Sequence, residues 1–177
     1  MPTLQVDTLA FNFNPTVTAG RYDQWQHYTS IWNAHPASHK AMDVVAVDGA
    51  PPRSTAWLIE GKDFRVITNP PKPSNISGLA QFVCDKAADT LAGLANAQHH
   101  AAVPAEQQLA AQALASSARR VVLHLEPHTG PHSALFPAGF AASVLQQLRI
   151  LVRSMDVNPL VLNIANTPQV GVPWTVA

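Results

Sequence analysis

Cysteine is nearly absent from this sequence. The single residue, Cys84, cannot form an intramolecular disulfide bond. So little cysteine is typical of proteins in a reducing compartment, and we expect this protein to be located in the cytoplasm. Long apolar runs are also missing, because Gln146, Gln147 and Arg149 interrupt the most apolar stretch, residues 141–152, whereas a membrane span needs ~20 apolar residues. The N-terminal residues lack the basic and apolar regions of a signal peptide, so we expect no membrane association.

Charge is scarce and balanced. Eleven basic and eleven acidic side chains give a formal net charge of zero, and charged residues make up only 12% of the 177-residue chain. Proteins that bind nucleic acid unaided usually carry a basic excess, because phosphate neutralisation dominates their affinity. We therefore expect any binding of nucleic acid by this chain alone to be weak and salt-sensitive. Targeting would then come from a protein partner or from homo-oligomerisation.

The length and the 47% of apolar residues predict a single domain with an ordinary core, and the order of its predicted helices and strands gives it the α/β class. The first 20 residues and the tail from residue 166 are predicted to be irregular. Residues 69–75 are rich in proline and predict a loop. A strand hairpin followed by helix-connected strands predicts a mixed β-sheet flanked by helices. The predicted elements are a helix at 21–34, strands at 41–49 and 55–68 (the latter one long strand or a bent pair), helices at 76–100 and from 104, a strand at 119–126, a helix at 138–155 and a strand at 159–165.

The predicted hairpin brings charged side chains together. If Asp48 pairs with Thr55, then Asp43 lies opposite Glu60, and the period of two places Lys62 on the same face. Opposed residues have Cβ atoms ~4.5–5.5 Å apart, so the two carboxylates would repel each other. A divalent cation between them would offset that repulsion, and hard cations such as Mg²⁺ prefer oxygen ligands. A register shift of one residue would remove this metal site.

The segments "MDVVAVD" and "STAWLIEGKDFR" resemble the core of the PD-(D/E)xK nuclease-like superfamily. In that superfamily an aspartate on one strand and a (D/E)xK triplet on the next build a metal-dependent phosphodiesterase site. Residues 85–94 and 119–126 stand where the fold places its crossover helix and its next strand. The resemblance implies a restriction-endonuclease-like core in a single domain of residues 1–177, with residues 138–177 as a C-terminal helix–strand extension.

The resemblance also implies an activity, namely Mg²⁺- or Mn²⁺-dependent hydrolysis of phosphodiester bonds in DNA or RNA. The enzyme could act as a subunit of a larger nucleic-acid-processing or defence system. Asp43 and Glu60 would be metal ligands together with the backbone carbonyl of Gly61, and Lys62 would orient the attacking water and balance developing charge. Asp23 is the candidate for the acid that many members carry on the first helix.

Two alternative functions remain open on these residues. The first is a catalytically inactive, nuclease-like binding or interaction protein, which the neutral charge favours. The second is a metal-dependent enzyme that acts on a small phosphorylated molecule and needs no basic surface. At the level of the site, Glu60 and Lys62 could instead form a solvated strand end with a weak surface ion pair.

Other polar residues have structural interpretations. Asp63 and Arg65 lie on the opposite face of their strand, and we interpret them as a local ion pair. We interpret Lys86 and Asp89 as part of a solvated helix face, with a position beside the site as the alternative.

Two further patterns are interpreted in the same way. Four closely spaced residues hint at a zinc site, but Pro127 interrupts their strand and no cysteine lies nearby, so we favour structural roles for His124, Glu126, His128 and His132. Aromatic residues at helical spacing predict core packing, with base stacking as the alternative; they are Tyr22, Trp25, Tyr28 and Trp32.

Overall fold

The computed structural model describes residues 2–34, 39–50, 52–65 and 78–177. Its strands are β1 (Thr3–Val6), β2 (Leu9–Phe13), β3 (Thr18–Arg21), β4 (Val44–Asp48), β5 (Thr55–Asp63), β6 (Ala118–Glu126), β7 (Leu160–Leu162) and β8 (Trp174–Val176). Its α-helices are α1 (Leu79–His100), α2 (Pro104–Ala115), α3 (Phe140–Leu151) and α4 (Thr167–Val170). The predictions for residues 66–77, including the proline-rich loop, lie outside the described residues.

A mixed sheet with the order β3-β4-β5-β6-β7 forms the centre of the protein. The β3/β4 and β4/β5 pairs are antiparallel, whereas β5/β6 and β6/β7 are parallel. Asp48 pairs with Thr55 and Val44 with Ile59, which confirms the predicted register of the hairpin. The predicted α/β class is therefore correct.

The central sheet is buried on both faces, so β4 is an almost continuous run of buried, mainly β-branched residues. On one face Val45, Leu58 and Leu123 belong to a core that includes residues of the long helices. On the other face Val44 and Ile59 belong to a core shared with a smaller sheet of order β1-β2-β8. Alternation along each strand thus sorts side chains into a helix side and a small-sheet side.

The long helices begin and end close to the predicted positions. Pro104 occupies the first turn of α2, where its missing N–H leaves no intrahelical hydrogen bond unmade. The last long helix, α3, is shorter than the helix predicted at 138–155. It begins after Gly139, which has φ 83°, and ends at Leu151. The buried stripe of α1, at the three- and four-residue spacing that turns one helix face to a sheet, includes Leu79, Val83, Ala87, Leu94 and Ala97.

Three local predictions were wrong. The first 20 residues are not irregular but contain β1, β2 and most of β3, and the tail contains α4 and β8. β8 is near the C-terminal end of the chain and its partner β2 is near the N-terminal end, so no local sequence pattern predicts their pairing. The helix predicted at 21–34 is instead a 3₁₀ turn at Tyr22–Gln24 and a π-helical turn at Tyr28–Trp32, separated where Trp25 is extended at ψ 142°.

Among the described residues, one segment meets the length and composition of a membrane span. It is Ser133–Leu151, with a mean hydropathy of 1.2 and 11% of its residues buried. Its α-helical part is α3, whose 12 residues extend about 18 Å at ~1.5 Å per residue, less than the ~30 Å of a bilayer core. The segment is therefore weak evidence for membrane insertion.

Candidate functional site

The hairpin brings Asp43 and Glu60 to the helix side of the central sheet. Asp43 directly precedes β4, and its backbone carbonyl accepts a hydrogen bond from the Tyr22 N–H at 3.0 Å. Its carboxylate oxygen Oδ2 accepts a second from the Gly61 N–H at 2.8 Å. Glu60 lies in β5 with its side chain fully buried. The backbone thus holds the Asp43 carboxylate beside the buried Glu60 side chain, at the end of one strand pair.

Two lysine ammonium groups bind these carboxylates. The Lys86 Nζ lies 2.7 and 2.6 Å from the two carboxylate oxygens of Glu60 and 3.4 Å from the Asp43 Oδ1. The Lys62 Nζ lies 2.6 Å from the Glu60 Oε1. Asp43, Glu60 and Lys62 therefore meet as the register predicts. The alternative interpretation of Glu60 as part of a solvated strand end is wrong, because its side chain has no exposed area.

The favoured interpretation of Lys86 as part of a solvated helix face is wrong, and the alternative position beside the site is correct. The Lys86 side chain is only 13% exposed and bridges the two carboxylates. Lys86 directly precedes the buried Ala87 and follows the buried Val83 by three positions. That spacing on α1 is the signal that could have placed it towards the sheet. Asp89 also points inward, since its Oδ2 accepts a hydrogen bond from the Lys40 N–H at 2.8 Å.

Burial and charge shift the pKa values within the cluster. Burial raises the pKa of Glu60, and repulsion from Asp43 adds to this effect, while Lys62 and Lys86 act against it. Burial alone would lower the pKa of Lys62, but the ion pair with Glu60 outweighs burial, so this pKa is raised. The buried Glu60 carboxyl group therefore depends on nearby positive charge to ionise.

Asp23 does not join this cluster. Its carboxylate binds the Arg21 guanidinium in a two-point contact, with distances of 2.9 Å to Nε and 2.6 Å to Nη2. Among the described residues, no three or more His, Cys, Asp or Glu side chains are arranged to hold a metal ion, so Asp23, Asp43 and Glu60 do not form one metal-binding group.

A half-buried phenylalanine lies beside the cluster. The ring centroid of Phe82 is 5.5, 5.6 and 5.2 Å from the ammonium groups of Lys40, Lys62 and Lys86. Distances below ~6 Å allow cation–π attraction. An ion pair of 2.7 Å with Asp85 holds Lys40 in this arrangement. Three lysines thus surround one aromatic ring at the edge of the carboxylate pair.

A separate polar cluster lies on the small-sheet side. The Arg65 Nη2 binds the Asp63 Oδ2 at 2.7 Å, which confirms the predicted local ion pair, and the Thr8 hydroxyl donates to the same carboxylate. The His124 Nε2 lies 3.0 Å from the Glu126 Oε1, which also accepts a hydrogen bond from the Ile164 N–H. These contacts join β5 and β6 to neighbouring segments and are structural.

Two aromatic patterns also have structural roles. Tyr22, Trp25 and Tyr28 are buried in the helix-side core, which confirms the prediction of core packing. His128 and His132 stack edge to face with ring centroids 5.2 Å apart. They form no metal cluster with His124 and Glu126 among the residues that the structure describes.

Asp63 makes stability depend on pH. The hydrogen bonds from Arg65 and Thr8 hold the pKa of Asp63 at about 2, against an ordinary value of 3.8. Because the folded pKa is depressed, its contribution is present above pH 3.8 and is lost as the pH falls towards 2. Allowing for the partial exposure of Arg65, we expect a loss of about 1–2 kcal/mol.

Urea unfolding between about pH 5 and pH 2 checks this expectation. The slope of stability against pH should be shallower in Asp63→Asn than in the unaltered protein, because the substitution removes the titrating group. Identical slopes in the two proteins would contradict the assignment.

Comparison with known proteins gives limited information. No model of a known protein family matches the sequence, and no solved structure matches it. A cysteine–tRNA ligase of Neisseria meningitidis is 26% identical over 213 aligned residues. The alignment includes the whole of this chain but only 30% of that ligase. The chain is therefore similar to a part of a longer, tRNA-ligating protein.

Proposed function

We propose that the protein is a metal-dependent nuclease of the PD-(D/E)xK type, with a restriction-endonuclease-like core. The observation that carries the proposal is the convergence of the Asp43 and Glu60 carboxylates on one cationic atom, the Lys86 Nζ. A cation thus already lies where two strands direct their carboxylates together. The antiparallel hairpin that α1 and α2 connect to a parallel β6 supports the same core.

The donor atoms suit Mg²⁺ or Mn²⁺. Asp43 and Glu60 supply carboxylate oxygens, which these hard cations prefer. In an extended strand, the backbone N–H and C=O groups of one residue point to the same edge of that strand. Because the Gly61 N–H donates to Asp43, the Gly61 carbonyl points to that edge too. When bound, such an ion would polarise a phosphoryl oxygen and lower the pKa of a water molecule.

The side chains have distinct roles in this proposal. The Gly61 N–H orients the Asp43 carboxylate. Lys62 is 27% exposed, and its raised pKa keeps it protonated at neutral pH. Its ammonium group therefore faces the solvent side of the buried pair, where it would stabilise negative charge that develops on a phosphodiester. Lys86 neutralises the carboxylates and would have to move when a divalent cation binds them.

A non-catalytic function is the second candidate, and the same ion pairs favour it. Lys62 and Lys86 balance the charges of Asp43 and Glu60 one for one. The cluster is therefore electrostatically complete with its own side chains. On this candidate the nuclease-like fold would serve as a binding or interaction module, and the protein would turn over no nucleic acid.

Cleavage assays separate the two candidates. Single- and double-stranded DNA, single-stranded RNA and tRNA should be incubated with the protein in Mn²⁺ and in EDTA; tRNA is included because the similar ligase acts on it. We expect Mn²⁺-dependent cleavage that Lys62→Met removes. Cleavage that continues in EDTA, or unchanged in Lys62→Met, would refute the nuclease. Absence of cleavage on every substrate would favour the binding module.

Removal of Lys86 tests whether a metal can take its place. In Lys86→Met the two carboxylates keep only Lys62, so we expect the metal-free protein to lose about 3 kcal/mol of stability, at the low end for breaking a buried ion pair. Saturating Mn²⁺ should restore the melting temperature of this variant and raise it more than in the unaltered protein.

Lys40→Met is the matched control for Lys86→Met. It removes another lysine beside Phe82, but Lys40 pairs with Asp85 and does not contact the carboxylate pair. Its melting temperature should therefore respond to Mn²⁺ as that of the unaltered protein does. A Lys86→Met protein that Mn²⁺ fails to stabilise would count against the metal site.

A further inference from the structure

A second charged region lies at the first residues of β6, whereas Glu60 of the carboxylate pair lies opposite Leu123, further along that strand. It is a groove of about 400 Å³ between the first residues of β6 and the segment after α3. Arg119, Arg120 and Arg153 line it together with Asp156 and Asn158. None of these residues belongs to the candidate nuclease site. We call this region the arginine groove.

The arginine groove has an excess of positive charge. The Asp156 carboxylate accepts hydrogen bonds from the backbone N–H groups of Val121 and Asn158 at 2.8 and 2.7 Å. It therefore helps to hold the groove together and compensates only one of the three guanidinium groups, that of Arg120 at 3.5 Å. In a chain with a net charge of zero, this leaves a local charge of about +2.

Arg120 is held in place by its surroundings. Its Nη2 donates to the Asn158 carbonyl, and its guanidinium lies 5.7 Å from the ring centroid of Trp57. These contacts give Arg120 a structural role. Arg119 and Arg153 remain as the side chains that can bind a ligand.

One donor of the Arg119 side chain lacks a partner. Its Nε is buried and has no hydrogen-bond partner among the described residues, and an unsatisfied buried donor is costly. Backbone N–H groups alternate between the two edges of a strand. The Ala118 N–H points to the β5 side and the Val121 N–H to Asp156, so the Arg119 N–H points to the groove.

On the edge of β6 to which the Arg119 N–H points, no described strand pairs with Arg119, because β7 pairs with β6 only from Val122 to His124. Guanidinium groups combined with a free backbone N–H are the donors that phosphate oxygens accept.

We propose that the arginine groove binds a phosphate group that belongs to a larger molecule, namely a nucleotide or an oligonucleotide backbone. Arg153 provides an exposed positive charge, and Arg119 provides both a guanidinium and a backbone N–H. The groove is larger than one phosphate, so the rest of the ligand has space beside it. The inference does not rest on the proposed nuclease, because the two sites share no residue.

Binding experiments on the full chain in EDTA test this inference apart from any metal. The probes are inorganic phosphate and adenosine monophosphate, measured by calorimetry, and a fluorescein-labelled 12-nucleotide DNA, measured by anisotropy. We expect Arg119→Gln and Arg153→Gln each to weaken the DNA or nucleotide affinity about tenfold, as for the loss of one charged contact. Each should also reduce the slope of log K against log salt by about one if the ligand is the DNA.

Arg149→Gln is the matched control. Arg149 is exposed in α3, about one turn before Arg153, and does not line the groove. We expect the affinity of the Arg149→Gln variant for the nucleotide or the DNA to stay within twofold of that of the unaltered protein. Binding of the mononucleotide identifies a nucleotide site, and binding of the DNA alone identifies a strand site. Equal weakening in Arg149→Gln and Arg153→Gln, or no binding of any probe below ~1 mM, would overturn the proposal. Arg153 is exposed, so this variant should fold even if Arg119→Gln does not.

Discussion

Asp43→Asn is expected to reduce Mn²⁺-dependent cleavage by at least ~10²-fold, in the range seen when one electrostatic contact to the reacting groups is removed. Asparagine keeps the shape of the side chain and can still accept the hydrogen bond from the Gly61 N–H. It loses the negative charge, however, and with it one of the two carboxylates that would hold the cation. The fall should therefore be in kcat/KM, without a large loss of stability.

Asp48→Asn is the matched control for this substitution. Asp48 lies in the same hairpin at its other end, where it pairs with Thr55 and its Oδ1 accepts a hydrogen bond from the Thr16 hydroxyl. The change in charge is the same, but the residue is remote from Glu60. Cleavage that falls equally in both variants would show that the effect is a general one of charge. Unchanged cleavage in Asp43→Asn would remove the nuclease proposal.

Gly93→Ala is expected to destabilise the protein by about 3 kcal/mol, the upper part of the range for overpacked cores. A Cβ at this position of α1 would overlap the hydroxyl oxygen of Tyr22 and would lie 3.1 Å from the Trp32 Nε1. Tyr22 is fully buried in a close-packed core, so moving its ring aside would cost packing contacts. At most positions inside a helix, replacing glycine by alanine stabilises the protein by ~1 kcal/mol. The change in stability expected for Gly93→Ala therefore has the opposite sign.

Tyr22→Phe provides a direct test of the cause. The Tyr22 hydroxyl has no hydrogen-bond partner among the described residues, so its removal should cost little by itself. The double variant Tyr22→Phe/Gly93→Ala should recover most of the lost stability, measured by urea unfolding. As a control, Ala92→Gly at the exposed neighbouring position should cost only about 1 kcal/mol. Additive losses in the double variant would contradict the steric explanation.

The prediction of the hairpin succeeded because its information is local. Apolar runs on both sides of a short connection predict two paired strands, and pairing Asp48 with Thr55 across that connection determines which side chains share a face. The meeting of Asp43 with Glu60 and Lys62 is a consequence of that register. The helix from Leu79 was similarly visible in its spacing of buried residues.

The elements that were missed depend on distant partners. β8 is a strand because β2 lies beside it, with Phe13 opposite Trp174. The segment 21–34 carries helical spacing, yet its aromatic side chains pack into the core from two short turns instead of one helix. Tertiary packing overrode the local pattern in both cases, as it commonly does for short elements.

The sequence by itself determined the hairpin, the class of the fold and the nearness of two carboxylates, since each follows from periodicity and a turn between neighbouring segments. Only the tertiary structure decided which cation lies between those carboxylates. Lys86 is 26 residues beyond Glu60 in the chain, and its position depends on how α1 crosses the sheet. The arginine groove likewise exists only because the segment after α3 folds back on the edge of β6.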